Sequence, residues 1–238
     1  MEFPNQKSTP IEDDEFNIEL LPEEFAQYDI SFKIIVIGDS NVGKSCLTSQ
    51  AVRNKFIDFY QTTIGFEFLT FNIRMNSLVV KLQVWDTCGQ EVYKSLISNF
   101  YRNSSLALIV YAINNRESFE HATIWLKELK ETSNPNVKIF LVGNKCDLEN
   151  NRVVSKEEGN KFKEEHKLDK FYETSAKTGQ YARTVLLDAA KMLFKEYMKN
   201  KDKLSTIGSE SVEENHLEKQ DKHSGKKCCN YYIIKILN

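Results

Sequence analysis

Three features are scarce in this chain of 238 residues: cysteines in metal-binding patterns, an excess of charge of one sign, and long apolar runs. The five cysteines form no CxxC pair and their number is odd, so neither a zinc site nor a disulfide framework is indicated. A formal net charge of −2 gives no sign of the basic surface that nucleic-acid binding requires. No apolar run reaches the length of a membrane span. Zinc-dependent, nucleic-acid-binding and membrane-spanning proteins are therefore disfavoured.

Targeting features are also lacking at the beginning of the sequence. The first residues are polar and do not resemble a secretory signal peptide. Residue 2 is Glu2, whereas N-myristoylation requires glycine at that position. We therefore expect a cytoplasmic protein.

The composition divides the chain into three parts. Residues 1–29 are polar and acidic, and we expect them to form a mostly disordered, flexible arm. Within this arm, residues 16–21 are compatible with a partner-binding turn, although a solvated tail is favoured. Residues 30–200 carry the patterns of a folded domain. Residues 201–238 are again polar and charged, which predicts a flexible C-terminal tail.

Apolar runs at 33–37, 106–111 and 137–142 predict buried strands, and helical periods lie between and after them. Strands that alternate with helices predict a mainly parallel sheet covered on both faces. Residues 66–74 and 78–85 are an exception, because they alternate apolar and polar residues around a short turn and predict an antiparallel hairpin. The expected fold class is α/β, with three α/β/α layers and a mostly parallel six-stranded sheet that has one antiparallel edge strand.

A phosphate-binding motif follows the first predicted strand. Residues 38–45 read GDSNVGKS, which is G-x-x-x-x-G-K-S between a strand and a helical segment. Backbone N–H groups of such a loop surround a phosphate chain, the ammonium of Lys44 contacts the β- and γ-phosphates, and the Ser45 hydroxyl binds Mg²⁺. The strand–loop–helix context favours this interpretation over a chance loop with two glycines, and it predicts a P-loop NTPase fold.

A second group of residues has the chemistry to act on a terminal phosphate. Asp86 ends the hairpin and can hold Mg²⁺ through its water shell. Gly89 permits a close approach of the backbone, and Gln90 can orient the water that attacks the γ-phosphorus. Thr63 precedes the hairpin, where its hydroxyl can reach Mg²⁺ when a γ-phosphate is present. An ordinary strand-end turn and a β-branched strand start are the structural alternatives.

Residues 144–147, Asn-Lys-Cys-Asp, indicate which base is bound. The carboxylate of Asp147 can accept hydrogen bonds from N1–H and the N2 amino group of guanine, whereas adenine offers an acceptor at N1 and no N2 amino group. The stem of Lys145 can lie along the ring, the backbone around Ala176 can bind the base oxygen, and Lys177 can stack nearby. A polar loop without a ligand is the structural alternative.

In this order and spacing, the motifs resemble those of the small GTPases of the Ras superfamily, and the details resemble the Rab subfamily. The resemblance covers roughly residues 31–200. No Rho-type insert is apparent, and Glu2 disfavours an Arf-type protein. The Rab-like stretches are 64–68 (IGFEF), 81–85 (KLQVW), 100–102 (FYR), 157–159 (EEG) and 173–177 (ETSAK).

The resemblance implies a GTP/GDP switch that hydrolyses GTP slowly without a GAP, uses Mg²⁺ and recruits effectors in vesicle trafficking. Gln90 is the implied catalytic residue, and Phe56 packs edge-on against the guanine. The implied nucleotide-binding residues are Gly38, Asp39, Ser40, Asn41, Val42, Gly43, Lys44, Ser45, Cys46, Phe56, Tyr60, Thr63, Gly89, Asn144, Lys145, Asp147, Ser175, Ala176 and Lys177. The implied metal ligands are Ser45, Thr63 and Asp86. The implied effector-binding aromatic triad is Phe68, Trp85 and Phe100, for which core packing is the alternative.

The resemblance also implies partners at a membrane. These are an exchange factor, a GAP, effectors and, if the chain is prenylated, a GDP-dissociation inhibitor and a prenyltransferase escort. Cys228 and Cys229 resemble a double geranylgeranylation site, which would place the protein peripherally on the cytosolic face of an endomembrane. Residues 230–238 follow these cysteines and do not end in a C-a-a-X box, so an unmodified tail is the alternative.

One departure from the family pattern opens an alternative function. Cys88 stands where the family usually has alanine, beside the expected γ-phosphate, and its bulk can slow hydrolysis. The alternative is therefore a GTP-binding scaffold with impaired hydrolysis. A P-loop ATPase or nucleotide kinase is a further alternative, which residues 144–147 disfavour.

Overall fold

The computed structural model describes residues 16–56, 66–87 and 101–209, with side chains described as far as residue 201. Within these ranges no helix combines the length and apolar character that crossing a bilayer requires. By its contacts the chain divides into Met1–Met198 and Lys199–Asn238. Eight predicted site residues lie outside the described ranges: Tyr60, Thr63, Cys88, Gly89, Gln90, Phe100, Cys228 and Cys229.

Strands and helices alternate along most of the described chain. The strands are β1 Ile18–Leu21, β2 Ile30–Ile37, β3 Phe66–Met75, β4 Leu78–Thr87, β5 Leu106–Ala112, β6 Lys138–Asn144 and β7 Lys170–Glu173. The helices are α1 Lys44–Arg53, α2 Arg116–Glu120, α3 Ala122–Thr132, α4 Lys156–His166 and α5 Ala182–Ser209, with a 3₁₀ turn at Glu149–Asn151. Helix α4 begins with a capping box between Ser155 and Glu158.

The strands form one sheet in the order β1-β3-β4-β2-β5-β6-β7. β2 is parallel to β4 and β5, and β6 is parallel to β5 and β7. β3 is antiparallel to β4, and the two are joined by a tight turn in which Asn76 adopts a left-handed conformation. The predicted six-stranded sheet with one antiparallel member is therefore confirmed for β2–β7.

The sheet has a seventh strand, β1, which the prediction missed. Ile18–Leu21 pairs antiparallel with residues 72–75 of β3. Phe16 also packs on the core, with its ring centroid 5.5 Å from that of Phe194 in an edge arrangement. The prediction of a flexible arm is thus wrong for residues 16–29, because a short strand in acidic surroundings gives no strong local signal. Helix α5 continues through residues 201–209, which the prediction assigned to the C-terminal tail.

Apolar side chains cover both faces of the sheet, as expected for three layers. Alternate residues of β2 point to opposite faces, so Ile34 and Val36 join one core while Ile35 and Ile37 join the other. The first core is closed by helices α1 and α5, and the second by α3 and α4. β5 is buried along its whole length. The carboxyl ends of the parallel strands therefore converge at one edge, where ligands of such sheets bind.

Candidate functional site

The phosphate-binding motif forms a loop between β2 and α1, and two glycines make its path possible. Gly38 has φ +141° and a Cβ there would lie 2.1 Å from the carbonyl oxygen of Val110 in β5. Gly43 has φ +91° and a Cβ there would lie 2.6 Å from Nδ2 of Asn144. Any side chain would strain the backbone at both positions. These glycines let the loop fold closely over the ends of β5 and β6.

Lys44 begins helix α1 and is buried, with 5% of its surface exposed. Its ammonium donates hydrogen bonds to the carbonyl oxygens of Gly38 at 2.8 Å and Asp39 at 2.7 Å. The positive charge is thereby held inside the curve of the loop, next to the positive N-terminal end of the helix. An anion such as a phosphate chain fits this arrangement.

Asp86 lies opposite Ser45 because β4 runs parallel to β2, with Asp86 paired in register with Val36. Asp86 is fully buried, and its Oδ2 accepts a hydrogen bond from the Ser45 hydroxyl. Its Oδ1 has no hydrogen-bond partner among the residues described. Burial raises the pKa of the Asp86 carboxyl to about 6, despite the opposing effects of the Ser45 hydrogen bond and the charge of Lys44. A buried carboxylate with an unused oxygen suits a divalent cation.

Asn144, the last residue of β6, connects the two loops of the site. Its Nδ2 donates to the carbonyl oxygens of Val42 at 2.9 Å and Gly43 at 3.3 Å. Its Oδ1 accepts hydrogen bonds from the Thr174 hydroxyl and the backbone N–H of Ala176, both at 3.2 Å. Asn144 is 1% exposed, so these polar groups have little access to water. The side chain therefore fixes the phosphate loop relative to the loop after β7.

The remaining predicted base-binding residues meet around that second loop. The Ser175 hydroxyl donates to Oδ1 of Asp147 at 2.5 Å and accepts a hydrogen bond from the backbone N–H of Thr178. Ser175 is buried and Asp147 is exposed, so the carboxylate is held in place at the surface. Lys145 lies across the phosphate loop, with its ammonium 2.6 Å from the carbonyl oxygen of Asn41, and burial lowers its pKa. Lys177 is exposed nearby in sequence.

The other described nucleotide-binding candidates occupy the loop and its flanks. Ser40 and Asn41 belong to the loop, and Val42 is buried beneath it. Cys46 is half-buried in the first turn of α1, where burial raises the pKa of its thiol. Phe56 follows α1 and packs partly buried against the core on the α1 and α5 side.

Sequence reasoning missed two residues that hold the phosphate loop. Oδ2 of Asp39 lies 2.7 Å from Nδ1 of His121, and Oδ1 accepts a hydrogen bond from Nε1 of Trp125 at 2.7 Å. His121 immediately precedes α3, and Trp125 lies in the first turn of α3, where it fits an amphipathic helical pattern. Neither stands in a recognisable motif, so this contact has no local signal in the sequence. Asp39 is thereby turned toward α3 as a structural support of the loop.

Aromatic side chains are exposed on the β3–β4 hairpin. Phe68 lies across from Trp85 in register, with ring centroids 5.0 Å apart, and Phe66 lies 5.4 Å from the same ring. Phe68 is 45% exposed, so it is not a core residue. The ammonium of Lys33 lies 5.4 Å from the Trp85 ring. Trp85 itself is partly buried against the second core, so Phe66 and Phe68 supply the exposed part of this apolar and cationic surface.

A sequence model described as the Ras family matches residues 33–195. The chain belongs to the Ras family. The matched span contains the phosphate loop, Asp86 and both loops joined by Asn144. As a Ras-family chain it is a small GTPase, a switch that binds guanine nucleotide and responds to regulator and effector proteins. Ras-family GTPases generally hydrolyse GTP and typically use Mg²⁺.

Proposed function

We propose that this chain is a Rab-like GTPase that alternates between a GTP-bound, effector-recruiting state and a GDP-bound state in intracellular vesicle trafficking. The nucleotide part rests chiefly on Asn144, which holds Val42 and Ala176 through one buried side chain. A single rigid frame thereby positions a phosphate loop and an exposed carboxylate, Asp147, on the same side of the sheet. This is the arrangement that a nucleoside with a phosphate chain requires.

The residues around Asp86 fit a magnesium ion. A buried carboxylate with one oxygen unpartnered in the described structure, beside a hydroxyl, is the type of oxygen donor set that Mg²⁺ uses. Ser45 and Asp86 would hold the ion, together with Thr63, which lies outside the described residues. When bound, Mg²⁺ supplies positive charge that balances the phosphates.

The remaining steps of hydrolysis are assigned to the protein's own groups. Lys44 binds and orients the β- and γ-phosphates through its buried ammonium. Gln90, outside the described residues, orients a water whose oxygen forms the new bond to the γ-phosphorus. The bond from that phosphorus to the β–γ bridging oxygen breaks, and the products are GDP and inorganic phosphate. Because no arginine finger is evident in the chain, we expect a GAP to raise the rate by about 10³–10⁵-fold.

Guanine selection is assigned to Asp147, which Ser175 holds at 2.5 Å. The Asp147→Asn variant presents an amide N–H where guanine needs an acceptor, while xanthine offers a carbonyl there. We expect its preference to shift from GTP toward XTP in a competition titration with a fluorescent nucleotide. ATP serves as the control and should compete poorly with both proteins. Retained preference for GTP over XTP in the variant would refute this role.

The Rab-like part rests on the exposed Phe68 beside Trp85, together with the Rab-type stretches of sequence. We assign this surface, with Phe100, to effector binding. We also assign prenyl groups to Cys228 and Cys229, which would place the protein on the cytosolic face of an endomembrane. The intact mass of the protein from its own cells tests the anchor. An unmodified mass, in membrane and soluble fractions alike, would contradict it.

A further inference from the structure

Residues 16–29 form a strap along the edge of the domain. After β1, the carbonyl oxygens of Pro22 and Glu23 accept hydrogen bonds from Nδ2 of Asn72, at 2.8 and 2.9 Å. The Glu23 carbonyl also accepts from the Thr70 hydroxyl at 2.7 Å. Asn72 is 1% exposed, so its amide depends on the strap for hydrogen bonds. The backbone of Glu23 is therefore held at a defined point on β3.

The side chain of Glu23 reaches the end of helix α1. Its two carboxylate oxygens accept hydrogen bonds from Nε and Nη2 of Arg53, at 2.8 and 3.0 Å. Nη1 of Arg53 lies 3.4 Å from Oε1 of Glu67 in β3. Because the Glu23 backbone is fixed on β3 and the ion pair is bidentate, the pair holds Arg53 in a more defined geometry than a single-contact surface pair would. Arg53 is thereby tied to the strap and to β3 at once.

Arg53 is the last residue of the helix that carries the phosphate-binding side chains. Lys44 and Ser45 occupy the first turn of α1, and Phe56 follows shortly after its end. A tilt of α1 against the sheet would displace the phosphate-binding side chains of Lys44 and Ser45 together with Phe56. The ion pairs at Arg53 oppose such a tilt at the end of the helix that is remote from the phosphate loop.

We propose that Glu23 is a positioning residue that, through Arg53, clamps helix α1 to the sheet edge and slows the release of bound nucleotide. This inference rests on the guanine-nucleotide binding proposed above. The strap is then part of the switch and sets the lifetime of its nucleotide states. An exchange factor that loosened the strap would accelerate release without touching the nucleotide.

The test uses the full chain loaded with a fluorescent GDP, and its release is followed after addition of excess unlabelled GDP. We expect Glu23→Gln to release GDP about two- to fivefold faster, the range that an exposed ion pair supplies. Glu19→Gln is the matched control. Glu19 lies in the same strap and forms an ion pair at 2.9 Å with Arg74 of β3, away from α1. This variant should release GDP at the wild-type rate. The double variant Glu23→Gln/Arg53→Gln should release no faster than Arg53→Gln alone.

Three outcomes separate the possibilities. A wild-type rate for Glu23→Gln would overturn the inference while leaving nucleotide binding established. Equal acceleration by Glu19→Gln would also overturn it, because general loosening of the strap would then explain both rates. Failure of the wild-type protein to load any guanine nucleotide would remove the proposed function and this inference with it. The thermal unfolding midpoint of each variant distinguishes a clamp on α1 from a general loss of stability. We expect the midpoints of Glu19→Gln and Glu23→Gln to match.

Discussion

Replacing Asn144 with alanine removes the side chain that joins the phosphate loop to the loop after β7. The substitution leaves the carbonyl oxygen of Val42 and the backbone N–H of Ala176 without their partners. Both groups lie in buried residues, so water replaces the lost hydrogen bonds poorly. The two loops then remain attached to the strands that precede them, but they lose the contact that fixes the distance between them.

The size of the effect follows from those contacts. Each buried polar group left unsatisfied costs about 1–3 kcal/mol, so two such groups reduce the free energy of unfolding by about 2–6 kcal/mol. The contact to Gly43 is the longest, at 3.3 Å, and adds little. The Thr174 hydroxyl also adds little, because it can rotate toward another acceptor, whereas the Ala176 N–H cannot. Since bound nucleotide spans both loops, we expect GDP release to accelerate by about 10- to 100-fold, at about 1.4 kcal/mol for each factor of ten.

The assay is the release of fluorescent GDP from the full chain, combined with thermal unfolding. Thr174→Val is the matched control, since it removes one hydroxyl bond to Asn144 and keeps the side-chain shape. Its release rate should stay within about twofold of the wild-type rate, as expected for one long neutral hydrogen bond. A wild-type release rate in Asn144→Ala, accompanied by a lower unfolding midpoint, would refute the reasoning. Asn144 would then stabilise the fold without controlling the nucleotide.

The remaining predictions concern the metal site and hydrolysis. Because burial raises the pKa of Asp86 to about 6, this group should contribute stability to the metal-free protein that is fully present below pH about 4, the ordinary carboxyl range, and is lost as pH rises through 6. Mg²⁺ competes with the proton for the Asp86 carboxylate. The increase in the unfolding midpoint that Mg²⁺ causes in the GDP-bound protein should therefore grow above pH 6 and vanish in Asp86→Asn. An Mg²⁺ effect that does not depend on pH would contradict this role of Asp86. Gln90→Leu should lower GAP-stimulated phosphate release but retain GTP binding, and unchanged single-round release would exclude Gln90. Cys88→Ala should hydrolyse GTP faster than the wild-type protein if Cys88 obstructs the site. Equal hydrolysis rates in the two proteins would rule out the alternative of a GTP-binding scaffold impaired by Cys88.

The sequence alone determined the elements whose signals are local. The apolar runs predicted β2, β5 and β6 because a strand buried on both faces needs consecutive apolar residues. The alternating pattern around residues 75–77 predicted the hairpin, since each half buries one face. The phosphate loop was recognised because its glycines and Lys44 act within one short segment. For the same reason Asp147 and Ala176 were placed in loops after strands, although their distance in space was unknown.

Only the tertiary structure decided which distant polar groups meet. Asn144 and Val42 are 102 positions apart, and their contact depends on the loop folding over the end of β5. His121 reaches Asp39 only because α3 begins beside the phosphate loop. The strap was missed because four residues of β1 carry too little apolar pattern to be recognised, and β3 supplies the hydrogen bonds that make them a strand. Such contacts are set by the order of the strands in the sheet, and no short window of sequence contains that order.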